Sequence, residues 1–247
     1  MDTMPSAMIS VITPSLNSGA YLEEAIRSVL VQQYPNFEHI VVDGGSEDGT
    51  LDILRKYPHL KWVSEPDKGQ SDAMNKGFAL SRGEIIVYLN ADDYFEPNVF
   101  QTVAAAMSKT CKFIVGQVRV QEPDGKEWLN DPKVDLSEML RWWQPNAYCY
   151  NSAGYFYDRE IQHLVGGFNV DVQIAMDFEF LIKARRVTSF TKINKVLACF
   201  RIFPGTKTYE TSDNEQAIFA QFDDLLLLVE EPERRKILEE RSAFFAK

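Results

Sequence analysis

The apolar run Ile85-Ile86-Val87-Tyr88-Leu89 ends abruptly in Asn90-Ala91-Asp92-Asp93. Two adjacent carboxylates repel each other and call for a counter-charge. Mg²⁺ and Mn²⁺ take oxygen ligands and complete their shells with substrate phosphates. Asp92 and Asp93 are therefore candidate ligands of a divalent cation that holds a phosphorylated substrate. The plain alternative is a solvated turn ahead of Pro97. Three other polar clusters follow segments that read as strands: Thr13-Pro14-Ser15, then Asp43-Gly44-Gly45-Ser46-Glu47-Asp48-Gly49-Thr50, then Glu65-Pro66-Asp67-Lys68-Gly69. Each alone can be a turn. Parallel strands bring all four ends to one edge of a sheet, where ligands of open α/β folds bind.

The elements that must position these clusters alternate in type. Residues 8–13, 37–42, 60–63 and 85–89 read as strands, the last as the continuous apolar run of a strand buried on both faces. Helical spacing links Leu22, Ala25, Ile26, Val29 and Leu30, with Asn17 or Ser18 as cap; residues 50–56 form a short helix, and residues 71–80 a helix capped by Ser71. This order predicts an α/β fold with a mostly parallel central sheet flanked by helices. Further on, residues 98–107 read as helix, 113–121 as strand, Pro123-Asp124-Gly125 as a hairpin turn into Glu127-Trp128-Leu129, 175–186 as a strong helix and 196–203 as strand. After Pro204-Gly205 the chain turns acidic and amphipathic, with helices expected at 213–229 and 233–245. Residues 8–205 are thus read as the main domain and 206–247 as a helical extension packed on it.

Composition narrows the partners. The chain has 247 residues, 45% hydrophobic and 25% charged, with a formal net charge of −10. An acidic protein lacks the basic face that nucleic acid requires, and it must receive an anionic substrate on a local positive feature. Cys111, Cys149 and Cys199 show neither metal spacing nor a disulfide framework, which points to a reducing compartment. Residues 1–7 carry no basic n-region or apolar h-region, and the aliphatic run at 225–229 is too short to span a bilayer. A cytoplasmic protein is expected, with peripheral association at the inner face of a membrane if its acceptor is lipid-linked.

The segments at 9–17, 43–50, 65–77 and 89–93 together resemble family 2 glycosyltransferases of the GT-A fold, in the bacterial branch that builds surface polysaccharides and glycolipids. The similarity is close over about the first hundred residues and weaker as far as Thr208. It implies a Rossmann-like sheet and inverting transfer of a sugar from a nucleotide-sugar donor to a saccharide or lipid-linked acceptor, assisted by Mn²⁺ or Mg²⁺. On the same resemblance, Thr13 and Pro14 line the base pocket, and Asp43 accepts a hydrogen bond from the base. A carboxylate there suits the imide N–H of uracil or thymine, and the N1–H of guanine would also fit; a UDP- or dTDP-linked sugar is expected. Asp72 lies near ribose and sugar, although an acidic residue there also complements a helix N-terminus. Lys76 is a candidate donor contact. Asp92 and Asp93 match the metal-binding acidic motif, with Asn90 where an acidic residue is more usual.

The resemblance extends to the catalytic base. Gly166-Gly167-Phe168-Asn169 leads into Ala175-Met176-Asp177-Phe178-Glu179, which resembles the family's acidic motif at a helix start, and Asp177 is the expected base, ahead of Glu179 and Asp171. Gln144-Pro145, amid Trp142, Trp143, Tyr148 and Tyr150, resembles a site close to the acceptor. Arg201-Ile202-Phe203-Pro204-Gly205-Thr206-Lys207-Thr208 resembles a motif that usually carries histidine where Phe203 stands; Arg201 and Lys207 are candidates to neutralise the diphosphate. Two other classes compete. A sugar-nucleotide pyrophosphorylase needs a basic, glycine-rich loop after the first strand, and Pro14-Ser15-Leu16-Asn17-Ser18-Gly19 is neither. A non-catalytic nucleotide-sugar-binding protein fits the departures at Asn90 and Phe203 but not the retained carboxylates.

Overall fold

A computed structural model describes residues 7–172, 174–211 and 215–245. The chain runs β1 (Ile9–Ser15), α1 (Leu22–Leu30), β2 (Phe37–Asp43), α2 (Thr50–Lys56), β3 (Lys61–Ser64), α3 (Gln70–Leu80), β4 (Ile85–Tyr88), β5 (Tyr94–Phe95), α4 (Val99–Ala106), β6 (Phe113–Gln121) and β7 (Glu127–Asn130). It continues with α5 (Leu136–Met139), β8 (Tyr155–Asp158), α6 (Arg159–Val165), α7 (Met176–Val187), β9 (Thr191–Arg201), α8 (Lys207–Thr211), α9 (Glu215–Leu225) and α10 (Glu231–Phe245).

One sheet runs β3-β2-β1-β4-β8-β6-β9-β5, with β7 hydrogen-bonded to β6 off that path. β1 pairs in parallel with β2 and β4, and β2 with β3, as the alternating sequence predicts. The second half makes the sheet mixed. β8 is antiparallel to both β4 and β6, β9 runs parallel to β6, and β5 closes the edge antiparallel to β9. All seven residues of β1 are buried, as a strand covered on both faces requires. Side chains alternate between two cores. Ile12, Tyr88, Tyr155 and Tyr157 face a large cluster with α7, while Ile9, Val11, Val87 and Phe156 face a second cluster with Phe100 of α4.

Several local expectations resolve differently. α3 starts at Gln70, with Gly69 at φ 106° as the residue before it. Ser71, expected as its cap, is buried in the first turn with its hydroxyl 2.8 Å from Met176 Sδ. A glycine at 69 supplies a backbone angle that a serine would resist. α1 has no side-chain cap; instead the Ser18 carbonyl accepts the N–H groups of Tyr21 and Leu22. Gly77 lets α3 settle on β1, since a Cβ there would lie 2.3 Å from Ile12 Cγ2. β8 and α6 were not anticipated, because the Tyr155-Phe156-Tyr157 run is apolar on both faces and shows no period. The expected helix start at residue 213 lies outside the described residues. Phe222, Leu225, Leu226, Val229 and Ile237 join the large core, where Phe222 packs 4.8 Å from Trp142 and 5.0 Å from Phe178. Among the described residues no helix is long and apolar enough to cross a membrane.

Candidate active site

The carboxyl ends of the parallel strands open into a cleft of about 920 Å³. One set of lining residues comes from the first half: Pro14 to Ser18 after β1, Asp67, Gly69 and Gln70 at the start of α3, and Asn90 to Asp92 after β4. The other comes from the second half: Trp128 of β7, Tyr148, Tyr150 and Asn151, Met176 and Asp177 at the start of α7, and Phe203, Gly205, Thr206, Lys207 and Thr208 around α8. The loops after β1 and β2 are sewn together. The Asn17 N–H donates to Ser46 Oγ (2.7 Å), the Glu47 N–H to Asn17 Oδ1 (3.0 Å) and the Gly44 N–H to the Ser15 carbonyl (2.8 Å).

Of the residues expected to bind the donor or metal or to act as the base, Pro14, Asp92, Asp177 and Lys207 line this cleft. Burial pushes the Asp92 carboxyl above the usual range, while its own backbone N–H and the Arg201 charge draw it back. Asp93 turns the other way. It is fully buried, accepting from Asn90 Nδ2 (3.0 Å), Asn151 Nδ2 (2.8 Å) and the Arg201 N–H (3.0 Å). Burial, then the neighbouring Asp92 charge, raises its affinity for a proton. Asn90 is spoken for on both ends of its amide, because Oδ1 also accepts from Gln70 Nε2 at 2.9 Å.

Asp177 sits in the first turn of α7 and accepts from the Tyr155 hydroxyl at 2.7 Å. Burial raises its pKa; the Tyr155 hydrogen bond and the Lys207 charge act in the opposite sense. Lys207, at the start of α8, has its own pKa lowered by burial and raised by Asp177. Glu179 lies off the cleft and pairs with Lys183 at 2.5 Å. Asp171 is exposed outside it.

The remaining candidates are held elsewhere. Thr13 is fully buried, with its hydroxyl 2.9 Å from His39 Nε2. Asp43, also fully buried, accepts from the N–H groups of Gly45 (3.1 Å) and Ser46 (2.9 Å) and from the hydroxyls of Ser46 and Ser64 (2.6 Å for Ser64). Three of these donors meet Oδ2 and one, the Ser46 hydroxyl, meets Oδ1. Asp72 accepts the Lys68 N–H at 3.0 Å, satisfying a donor at the entry to α3. Lys76 bonds Glu65 at 3.0 Å, with Asp72 3.5 Å away. Arg201 clasps the Asp92 carbonyl and Glu24 (2.5 Å) and stacks on the rings of Tyr21 and Tyr94. Phe203, in place of the usual histidine, lies 4.4 Å from the Tyr21 ring. Trp142 is a core residue against Phe222, whereas Tyr148 and Tyr150 reach the cleft.

Sequence reasoning did not commit to Asp67, Gln70, Trp128, Asn151 or Tyr155. Asp67 carried a signal in the Pro66-Asp67-Lys68-Gly69 turn; its carboxylate fits against Gly44, where a Cβ would stand 2.8 Å from Oδ2. The others depend on contacts between distant segments. Among the described residues no cluster of three or more His, Cys, Asp or Glu is arranged to hold a metal. The donor set does fit an ion of the Mg²⁺ type, which needs one or two carboxylates and takes its other ligands from phosphates and water. Asp92 is half-buried and lines the cleft, so a cation there would offset the cost of its charge.

The sequence profile of glycosyl transferase family 2 matches residues 10–167. An uncharacterized glycosyltransferase of Mycobacterium tuberculosis is 32% identical over 196 residues, covering 78% of this chain and 74% of the relative. The crystal structure of Staphylococcus aureus TarS residues 1–349 in complex with UDP-GlcNAc matches with a TM-score of 0.69 at 20% identity, over 94% of this chain and 70% of that one. The mannosyltransferase PcManGT from Pyrobaculum calidifontis, in complex with GDP-Man and Mn²⁺, matches with a TM-score of 0.67 at 20% identity, over 94% of this chain and 68% of that one. At these identities the likeness to the two structures is one of fold.

Proposed function

The chain belongs to glycosyl transferase family 2 and is a glycosyltransferase, and from that premise we propose that it transfers a sugar with inversion from a uridine or thymidine diphosphate donor to a saccharide or lipid-linked acceptor. The observation that carries the reading is the pair of carboxylates, Asp92 and Asp177, contributed to one cleft by opposite halves of the chain. Asp177 takes the proton of the acceptor hydroxyl as that oxygen bonds to the anomeric carbon. The bond from that carbon to the nucleotide diphosphate breaks on the opposite face. Tyr155 fixes the carboxylate that receives the proton, and its hydroxyl favours the ionised form. Asp92 would hold a divalent cation, Mn²⁺ or Mg²⁺, which when bound would supply Lewis-acid stabilisation of the departing diphosphate. Lys207 adds positive charge on the same side of an otherwise acidic protein. In this reading Asp43 meets the base imide N–H after releasing one of its two serine hydroxyls, and the complementarity of carboxylate to imide favours UDP or dTDP over GDP.

Calorimetry with UDP, dTDP and GDP, with and without Mn²⁺, tests the donor half. UDP or dTDP should bind best and only with the cation, and Asp92→Ala should abolish the difference that Mn²⁺ makes. Preferred binding of GDP would overturn the base assignment, and equal binding in excess chelator would overturn the metal assignment. Asp177→Asn tests the acceptor half: transfer should fall by about 10²–10⁴-fold, the usual contribution of a general base, with UDP affinity unchanged. Near-normal transfer by that variant would remove Asp177 from the role.

A further inference from the structure

We propose that Trp128, Tyr150 and Tyr148 form the platform on which a pyranose ring of a saccharide acceptor stacks, an inference that rests on the glycosyl-transfer reading and names the class of acceptor. The three side chains line the same cleft as Asp177. Their rings follow one another, Trp128 to Tyr150 at 6.1 Å and Tyr150 to Tyr148 at 4.8 Å, each pair inclined edge to face. Tyr148 roots the row in the core against Phe178 at 4.7 Å. At the far end Trp128 is 40% exposed on β7, an unusual position for the largest apolar side chain.

Trp128 is held in place at that exposure. Its indole N–H donates to Glu122 Oε1 at 2.8 Å across the β6–β7 hairpin, which fixes the ring orientation while leaving the rest of the side chain accessible. Tyr150 is fixed in the same way, its hydroxyl accepting the Asn146 N–H at 2.9 Å. Preorganised rings bind at little cost in side-chain entropy. A pyranose offers an apolar face of C–H groups with hydroxyls around its rim, and it matches an aromatic row bordered by Glu122 and Asn146. A saturated lipid tail would gain nothing from that polar border. The row is continuous with the wall that carries Asp177, so a sugar stacked there can present its next hydroxyl to the base.

Saturation-transfer NMR in the presence of UDP and Mn²⁺, with cellotetraose, chitotetraose, mannotetraose and a chondroitin tetrasaccharide as probes, tests the platform. At least one probe should receive saturation chiefly through the C–H groups of one ring face. Trp128→Ala should weaken that probe about tenfold, Trp128→Phe should hold it within about threefold, and neither should alter UDP affinity, which also reports that the variants fold. Equal probe binding by Trp128→Ala and the unaltered protein overturns the proposal, as does the failure of all four probes while UDP binds. If neither UDP nor dTDP binds the unaltered protein, the nucleotide-sugar reading fails and the platform falls with it.

Discussion

Removing the Tyr155 hydroxyl isolates what one hydrogen bond does to the acidity of Asp177. In Tyr155→Phe the ring remains, fully buried and stacked 5.7 Å from Phe113 and 6.3 Å from Phe180, so the core loses an oxygen and almost no volume. Asp177 loses a donor at 2.7 Å that favours its ionised form against the burial that raises its pKa. A hydrogen bond to a charged group contributes about 1.5–3 kcal/mol net. The protonated acid keeps part of that bond, so the lower end applies, and about 1.4 kcal/mol is tenfold in the fraction of ready base. Because Asp177 must be ionised to take a proton, the acid limb of kcat/KM should move to higher pH. On that limb the variant should run about tenfold slower, and on the alkaline plateau, where both proteins are ionised, within about threefold. The assay is release of nucleotide diphosphate followed from about pH 5 to about pH 9. An unmoved limb, or a plateau that falls as far as the limb, would refute the claim that Tyr155 tunes a titrating base at Asp177.

Asn90→Asp replaces the amide that donates to Asp93 at 3.0 Å with a like charge, and should cost about 1–3 kcal/mol of stability, partly restored by Mn²⁺; thermal shift with and without the ion reads both. Gly77→Ala forces a methyl to 2.3 Å from Ile12 Cγ2 and should destabilise by about 1–3 kcal/mol in urea unfolding, unless β1 and α3 separate freely. His39 is fully buried, and burial, then the neighbouring His59, depresses its pKa from 6.5 to about 3. Between these values the unfolded chain binds the extra proton, so its contribution is present above pH 6.5 and is lost as the pH falls below it, by at most about 1.4 kcal/mol per pH unit. Urea titrations at several pH values should show that slope, and His39→Gln should flatten it.

The parallel half of the fold was readable because β1, β2 and β4 are short runs rich in apolar and β-branched residues, each followed by a polar cluster with turn residues. That pattern also put four strand ends on one edge, where Asp92 now lines the cleft. Asp177 was found through the resemblance of residues 175–179 to the family's acidic motif at a helix start. Adjacent acids cannot be told apart by spacing, however. Which of Asp92 and Asp93 turns inward depends on Asn151 and Arg201, 58 and 108 residues further along the chain. The same holds for Arg201, whose guanidinium meets Glu24 across 177 residues of sequence. β8 escaped notice because three consecutive aromatic residues look alike in any periodicity. Trp128 gave no signal, since its exposure follows from an edge strand whose partner only the hairpin register reveals.

The buried carboxylate of Asp93 has a bearing on how such proteins can recombine. Its ties reach back to Asn90 but also forward to Asn151 and Arg201, beyond any crossover point between α4 and β6. A chimera joined there would take the Asp177 wall of the cleft from one parent together with two of the three bonds that hold Asp93 beside the other parent's Asp92. Where the incoming half lacks an amide at position 151, the anion at 93 would be short of a donor inside the protein. The defect would then surface at the Asp92 turn, although no residue of that turn had been exchanged.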